Sequence, residues 1–423
     1  MTSRDILVAG GGPAGAATAA HLARLGHDVL VCEAALFPRE KICGEFLPPS
    51  VGPCLDRLGV RAAVEALRPV RPVGMAVVAR GGAVAFGRFG AAGPGFALRR
   101  SALDAILLEG ARRAGAQVLE KTRVVAIVPG QGEGFEVEVR TGGEAPRRLA
   151  VRALVGADGR NSLVARRLGL RRPAPAHRRF AVMGRYRGAR TPDDHGEMII
   201  TADGYCGINP LPDGEANVCF VIDPGRADRR EPRHETSRRG PRRVPRLDEG
   251  AFLPPRSDLE AFARRRIEAE PALGERLGGA RLDGPLRAIG PIATRARRAV
   301  ADGALLVGDA AEFFDPFTGE GVGTALHGAE LAAETLHDAL LRGDLSRAAL
   351  QPYEARRRAA FAARFRVERA LQGILGRRLL TDFVAARLER EPGLADLLAQ
   401  VTAGLAASRS LLRPDRLLRF LCA

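Results

Sequence analysis

Short apolar runs alternate with stretches of helical periodicity along the first third of the chain. Ile6–Ala9 is apolar throughout and suits a buried parallel strand, three glycines follow, and Ala16–Leu25 reads as a helix. Val29–Cys32 is a second buried run, and it ends at Glu33. The pattern recurs twice. "ALVGADGRNSLVARRLGL" (153–170) predicts a strand, a turn at Asp158-Gly159 and a helix. "GALLVGDAAEFFDPFTGEGVGTALHGAELAAETL" (303–336) predicts a strand at Leu305–Val307, a turn at Gly308-Asp309 and a helix from Gly321. Elsewhere the period falls to two. Residues 70–88 predict a hairpin around Gly81-Gly82, 117–155 hold several strands, and 178–222 is strand-rich with turns at Asp203-Gly204 and Asp213-Gly214. "DLEAFARRRIEAE" predicts a helix, and from 352 onward helical periodicity with basic faces dominates.

This alternation predicts an α/β protein: a Rossmann-type nucleotide-binding domain interleaved with a β-sheet substrate lobe, followed by a helical region. The expected boundaries are 1–70, 96–177 and 280–342 for the nucleotide domain, and 71–95 with 178–279 for the lobe. Residues 343–423 are expected to form a helical cap. Residues 224–257 are rich in Arg and Pro with few large apolar side chains, which predicts a mobile loop interrupting the lobe.

The net charge of +16 raises the question of nucleic acid, but the basic residues are almost all arginine, with Lys41 and Lys121 the only lysines. They are spread along the chain apart from a dense patch at 226–246, and no nucleic-acid-binding motif accompanies them, so no nucleic-acid partner is expected. The six cysteines at 32, 43, 54, 206, 219 and 422 include no C-x-x-C pair, which argues against a zinc site. No metal is expected. So few cysteines suit a reducing cytoplasm rather than a disulfide scaffold. "DILVAG" already reads as a strand, and no apolar run is long enough to span a bilayer. The expectation is a cytoplasmic protein. The basic C-terminal helices leave two readings, a cap on the lobe or a peripheral membrane contact.

Gly10, Gly12 and Gly15 form G-x-G-x-x-G between a strand and a helix, with Pro13 and Ala14 inside the turn. Such a loop brings backbone N–H groups and a helix N-terminus to a pyrophosphate, and Glu33 stands where a carboxylate takes ribose hydroxyls. The motif alone does not separate FAD from NAD. The two later segments resemble the DG (Asp158, Gly159) and GD (Gly308, Asp309) motifs of flavoproteins with the p-hydroxybenzoate hydroxylase-like fold, in the same order along the chain. That resemblance implies FAD. It places the ribityl chain near Asp309, and Pro316, Gly319, Glu320, Gly321 and Val322 of "PFTGEGVG" beside the flavin ring. R-x-x-L-D beginning at Arg100 resembles the family's cofactor-contacting arginine. No second G-x-G-x-x-G follows a strand, so NAD(P)H or another reductant is expected only as a transient electron donor.

"PFTGEG" resembles the geranylgeranyl reductase family, and so does "FPREKICGEF", where Phe37, Pro38, Arg39, Lys41, Cys43 and Gly44 match F-P-R-x-K-x-C-G-G. Glu45 departs from the second Gly and is similar to the G-E-S-L of flavin-dependent halogenases. The halogenase W-x-W-x-I-P is absent, because the chain contains no tryptophan. The reductases' Y-x-W-x-F-P stands here as "YCGINP", with Gly207 and Asn209 replacing the two rings, which predicts a more open and more polar pocket. The resemblance implies reduction of a carbon–carbon double bond in a hydrophobic isoprenoid, quinone or polyketide-like substrate by hydride from reduced FAD. The alternative is a monooxygenase hydroxylating an aromatic or polyketide substrate through a C4a-hydroperoxyflavin. Arg39 is expected to steady the cofactor. Cys43, Glu45 and Tyr205 are the candidate acids, since reduction needs a proton beside the hydride.

Overall fold

The computed structural model describes residues 2–130, 133–172, 179–224 and 258–416. The Arg/Pro-rich stretch expected to form a mobile loop lies, from residue 225 on, outside the described residues, as does Cys422. The chain opens with β1 (Thr2–Ala9), α1 (Pro13–Arg24) and β2 (Val29–Cys32). After the loop that carries Cys43 come β3 (Phe46–Leu47), α2 (Val51–Arg57) and α3 (Arg61–Glu65). The hairpin β4 (Gly74–Val78) and β5 (Val84–Arg88) follows. Then β6 (Phe96–Ala97) pairs with β3, and α4 (Arg100–Arg113) begins. The next strands are β7 (Gln117–Leu119), β8 (Thr122–Pro129), β9 (Phe135–Thr141) and β10 (Arg147–Gly156), ending in α5 (Leu163–Arg167).

The lobe contributes β11 (Phe180–Arg187), β12 (His195–Thr201), β13 (Gly204–Leu211) and β14 (Glu215–Ile222). Helices α6 (Leu259–Ala269) and α7 (Pro271–Leu277) lead to β15 (Arg281–Ile289). Past β16 (Thr294–Arg295), β17 (Val300–Ala301), β18 (Ala304–Leu306) and β19 (Glu312–Phe313), the described residues are mainly helical. These helices are α8 (Gly321–Arg342), α9 (Arg347–Leu375), α10 (Arg378–Arg390) and α11 (Pro392–Thr402).

Two sheets carry the fold. In the first, β18-β10-β1-β2-β7 run parallel, with β17 and the β8–β9 pair added antiparallel. Its central strands are buried on both faces, as the unbroken apolar runs require, and α1 fills one side with alanines against α4 and α8. The second sheet has the order β15-β11-β14-β13-β12-β4-β5. Here one boundary moves. β15 pairs antiparallel with β11, so the lobe extends through residue 289, and the return to the nucleotide domain lies after it rather than at 280.

The alternation of β11–β14 gives the lobe sheet two apolar faces. Phe180, Val182, Ile208, Val218 and Phe220 pack under α6 and α7. Ala181, Met183, Met198, Ile200, Tyr205, Cys219 and Val221 face Phe313 and Phe317 of the loop before α8. The C-terminal helices close the edge strand of this sheet. Carboxylates of Asp382, Glu389 and Asp396 accept from the backbone N–H groups of Gly81, Val84 and Arg88 at 3.0, 2.9 and 2.7 Å. An edge whose N–H groups are satisfied this way offers no template to another strand. Among the described residues, no helix is long and apolar enough to cross a membrane.

Candidate functional site

The glycine loop is built for close approach. A Cβ on Gly15 would lie 1.8 Å from the Gly10 carbonyl oxygen, so only glycine lets α1 start where it does. At Gly12, by contrast, a Cβ would meet only Arg39 Nη2, at 3.4 Å, and that face of the loop is open. Glu33 ends β2 with a buried carboxylate that accepts from Gly11 N at 2.7 Å and Ala35 N at 2.8 Å, fixing the turn. Asp158 Oδ2 accepts from Leu163 N at 2.6 Å, capping α5, while its buried Oδ1 has no partner among the described residues.

Four cations converge beside the loop. Asp104, fully buried, receives Arg100 Nε and Nη2 at 2.8 and 2.9 Å and lies 3.1 Å from Arg39 Nη1. The R-x-x-L-D motif thus supplies both the arginine and the carboxylate that orients it, and Asp104 is the member that motif reading passed over. Burial pulls Arg100 down, but the Asp104 carboxylate more than offsets it and holds the guanidinium above the ordinary arginine value. Burial lowers the Lys41 ammonium against the raising effect of Asp309. Burial likewise raises the half-buried Asp309 carboxyl, opposed by Lys41, Arg160 and Arg100.

Among the described residues, the carboxylates that face Arg39, Lys41, Arg100 and Arg160 are thus Asp104 and Asp309, which leaves an excess of positive charge that suits a pyrophosphate. The residues present fit FAD on three counts: this excess, the open face at Gly12 and the unpartnered Asp158 oxygen. Glu33 would take the adenosine ribose, Arg39 and the glycine loop the pyrophosphate, and Asp309 the ribityl chain. The first-turn N–H groups of α8 have no intrahelical acceptors and would face the ring.

The loop of Cys43 to Glu45 runs between this cradle and the lobe sheet. Glu45 is buried, and its carboxylate accepts from Arg100 N at 2.9 Å, Arg185 Nε at 3.0 Å, Arg185 Nη2 at 2.7 Å and Asn217 Nδ2 at 2.9 Å. It is a clamp between α4, β11 and β14, which removes it from the candidate acids. Its φ of 56° lies in the left-handed region, where the reductase pattern has glycine. Asn217 also donates to the Cys43 carbonyl at 3.0 Å, and Asn209 to the Gly44 carbonyl at 2.9 Å.

The second departure from the reductase pattern, Asn209, thus binds the same loop as the first. The third does not open a pocket as expected: a Cβ at Gly207 would lie 3.1 Å from Met198 Sδ, which occupies that side. Cys43 is half-exposed, its sulfur receiving Glu45 N at 3.4 Å.

Tyr205 is buried and gives its hydroxyl hydrogen to Asp315 Oδ1, with its ring edge-on to Phe317 at 5.0 Å. Burial and then Asp315 push its phenol well above the ordinary tyrosine range, so it too leaves the list of free acids. Asp315 further accepts from Arg179 Nη1 at 2.7 Å, Gln372 Nε2 at 2.8 Å and Phe317 N at 3.0 Å. Glu320 precedes the first turn of α8, its Oε2 held by Arg364 Nη1 at 2.8 Å and its buried Oε1 without a partner among the described residues. Burial, against Arg364, raises it to about 7. The sequence reading missed Arg364, Glu368 and Gln372; their spacing of four residues along α9 was the available signal.

Comparison with known proteins agrees with this geometry. A family model described as FAD binding domain matches residues 3–367. The digeranylgeranylglycerophospholipid reductase of Methanoculleus marisnigri is 31% identical over 370 residues, covering 84% of this chain and 82% of that protein. The tryptophan 2-halogenase of Chondromyces crocatus is 30% identical over 346 residues, covering 79% of this chain but 61% of that protein. A flavoprotein/dehydrogenase from Cytophaga hutchinsonii superposes with a TM-score of 0.81 at 21% identity, over 99% of this chain and 98% of its own, a likeness of fold.

Proposed function

The chain belongs to the FAD binding domain family, and from that premise we propose that it reduces a carbon–carbon double bond in a hydrophobic substrate. It is an FAD-dependent oxidoreductase, and FAD, when bound, would supply the hydride. The observation that carries the reading is the apolar face of the lobe sheet, Ala181, Met183, Met198, Ile200 and Val221, set opposite Phe313 of β19 and Phe317 of the loop before α8 (the flavin loop). An unsaturated isoprenoid, quinone or polyketide-like chain would bury its apolar surface there and exclude water from the reacting carbons. The reductase relative matches over most of its length and acts, by its name, on a geranylgeranylated lipid. The halogenase reading lacks its W-x-W-x-I-P.

Hydride transfer to one carbon requires a proton at the other. With Glu45 clamped and Tyr205 committed to Asp315, Cys43 is the half-exposed member of the three candidates, its sulfur accepting rather than donating. It would give its proton to the substrate carbon. NAD(P)H would visit as transient electron donor.

The test mixes anaerobically reduced holoprotein with a menaquinone or a geranylgeranyl lipid. Flavin reoxidation without oxygen, with a product two hydrogens heavier that stays so after mild reoxidation of any quinol, is the expected result. A product that forms only with oxygen and gains an oxygen atom would overturn the reading in favour of the monooxygenase.

A further inference from the structure

Helix α9 lays one polar stripe along the loop that precedes α8. Arg364 reaches Glu320, Gln372 reaches Asp315 at 2.8 Å, and Thr318 Oγ1 donates to Glu368 Oε1 at 3.3 Å. Three carboxyls, Asp315, Glu320 and Glu368, are thereby buried around a six-residue loop, each at most 6% exposed. Among the described residues, the cations that face them are Arg179 and Arg364, and Arg179 is shared with Asp223 at 3.5 Å. Tyr205 faces Asp315 as a neutral phenol, and burial keeps His327, packed on Phe361, below the ordinary histidine value. Negative groups outnumber positive ones, and such a cluster holds a proton in preference to an unpaired buried charge.

The proton belongs on Glu368. Among the described residues, Asp315 has four donors, one of them a guanidinium, and Glu320 has Arg364, whereas Glu368 has the Thr318 hydroxyl and no ion pair. Burial first, then Asp315, pushes its carboxyl up to about 8.

We propose that Glu368 is a redox-linked proton site beneath the flavin loop, protonated while the cofactor is reduced and losing its proton at alkaline pH only when the cofactor is oxidised. Hydride from a nicotinamide would bring two electrons and one proton to bound FAD, adding one negative charge there. The Glu368 carboxylate would then take one proton from solvent, forming an O–H bond, with no other bond changed. Glu368 touches the loop rather than the cofactor, so it is a positioning residue acting on the charge that the loop and the α8 N-terminus receive. The inference rests on FAD binding and holds whichever substrate takes the electrons. Failure of double-bond reduction would leave it intact.

The midpoint potential of the holoprotein, measured spectroelectrochemically from about pH 7 to about pH 9.5, tests it. The wild-type plot should steepen by about 30 mV per pH unit once Glu368 titrates, one extra proton for two electrons. Glu368→Gln should give one unbroken slope, and Glu320→Gln should keep the steepening. A wild-type plot without a break, a break that survives in Glu368→Gln, or a break lost in Glu320→Gln would overturn the proposal. If Glu368→Gln holds no FAD, the wild-type and Glu320→Gln plots decide it.

Discussion

Glu45 is held in a backbone conformation that costs a non-glycine residue about 1–2 kcal/mol, and its carboxylate offsets that cost by binding Arg185, Asn217 and the start of α4. Removing the carboxylate leaves the Arg185 guanidinium, 11% exposed, with Glu40 as its one remaining carboxylate partner among the described residues. Glu45→Ala should therefore destabilise the protein by about 3 kcal/mol, as expected for breaking a buried pair. Glu45→Gly removes the same carboxylate but relieves the backbone, so it should be more stable than Glu45→Ala by about 1 kcal/mol in denaturant titrations. Equal stabilities would mean that the left-handed conformation carries no cost here.

At the neighbouring position, Cys43→Ala should leave FAD content and reduction by NAD(P)H unchanged. It should slow oxidation by substrate about 100-fold, the lower range for loss of a general acid. Both residues stood out in the sequence, but their roles did not. The partners that commit Glu45 to structure, Arg185 and Asn217, lie 140 and 172 residues along the chain, and only the fold brings them together.

At the scale of elements, local chemistry was legible and long-range chemistry was not. The glycine loop, Glu33, the DG and GD turns and the start of α8 at Gly321 follow from short-range rules, because each is a strand-end or helix-start with its own residue requirement. The stripe on α9 escaped notice because Arg364, Glu368 and Gln372 on a helix read equally well as a solvated face. The structure makes that stripe the floor of the flavin loop, with a measurable consequence. Burial raises the Glu368 carboxyl from 4.5 to about 8, so the native state holds a proton that the unfolded chain releases near pH 4.5. Native protein then binds more protons than unfolded protein between those values, and this contribution to stability falls as pH rises through the interval. Glu368→Gln has no proton to lose. Its stability relative to wild type should rise with pH from 4.5 to about 8 and level off beyond it, as urea titrations at a series of pH values would show. A pH-independent difference would place the proton elsewhere.

Across the whole molecule, two sheets with separate apolar cores meet through polar contacts. Arg185 of the lobe binds Glu45 at the edge of the nucleotide domain, Arg179 binds Asp315 of the flavin loop, and Arg99 at the start of α4 binds Glu215 of β14. Asn209 and Asn217 bind the Gly44 and Cys43 carbonyls across the same boundary. Apolar contact is also present there, through Met183 and Tyr205 against Phe313 and Phe317, but the directional bonds set how the sheet sits over the loop. Buried ion pairs stabilise little against an apolar alternative, yet removing one partner strands the other charge at a cost of about 3–5 kcal/mol. In Arg179→Leu/Arg185→Leu, Asp315 and Glu45 lose their guanidiniums, and the penalty falls on the contact between the lobes rather than on either core. Wild-type holoprotein should therefore unfold in one calorimetric transition, whereas the double variant should show two. Added FAD should raise the transition of the nucleotide domain, by about 2.7 kcal/mol at a hundredfold excess over its dissociation constant, and leave the lobe's transition where it is. A double variant that still unfolds in one transition would mean that the apolar contact alone couples the lobes.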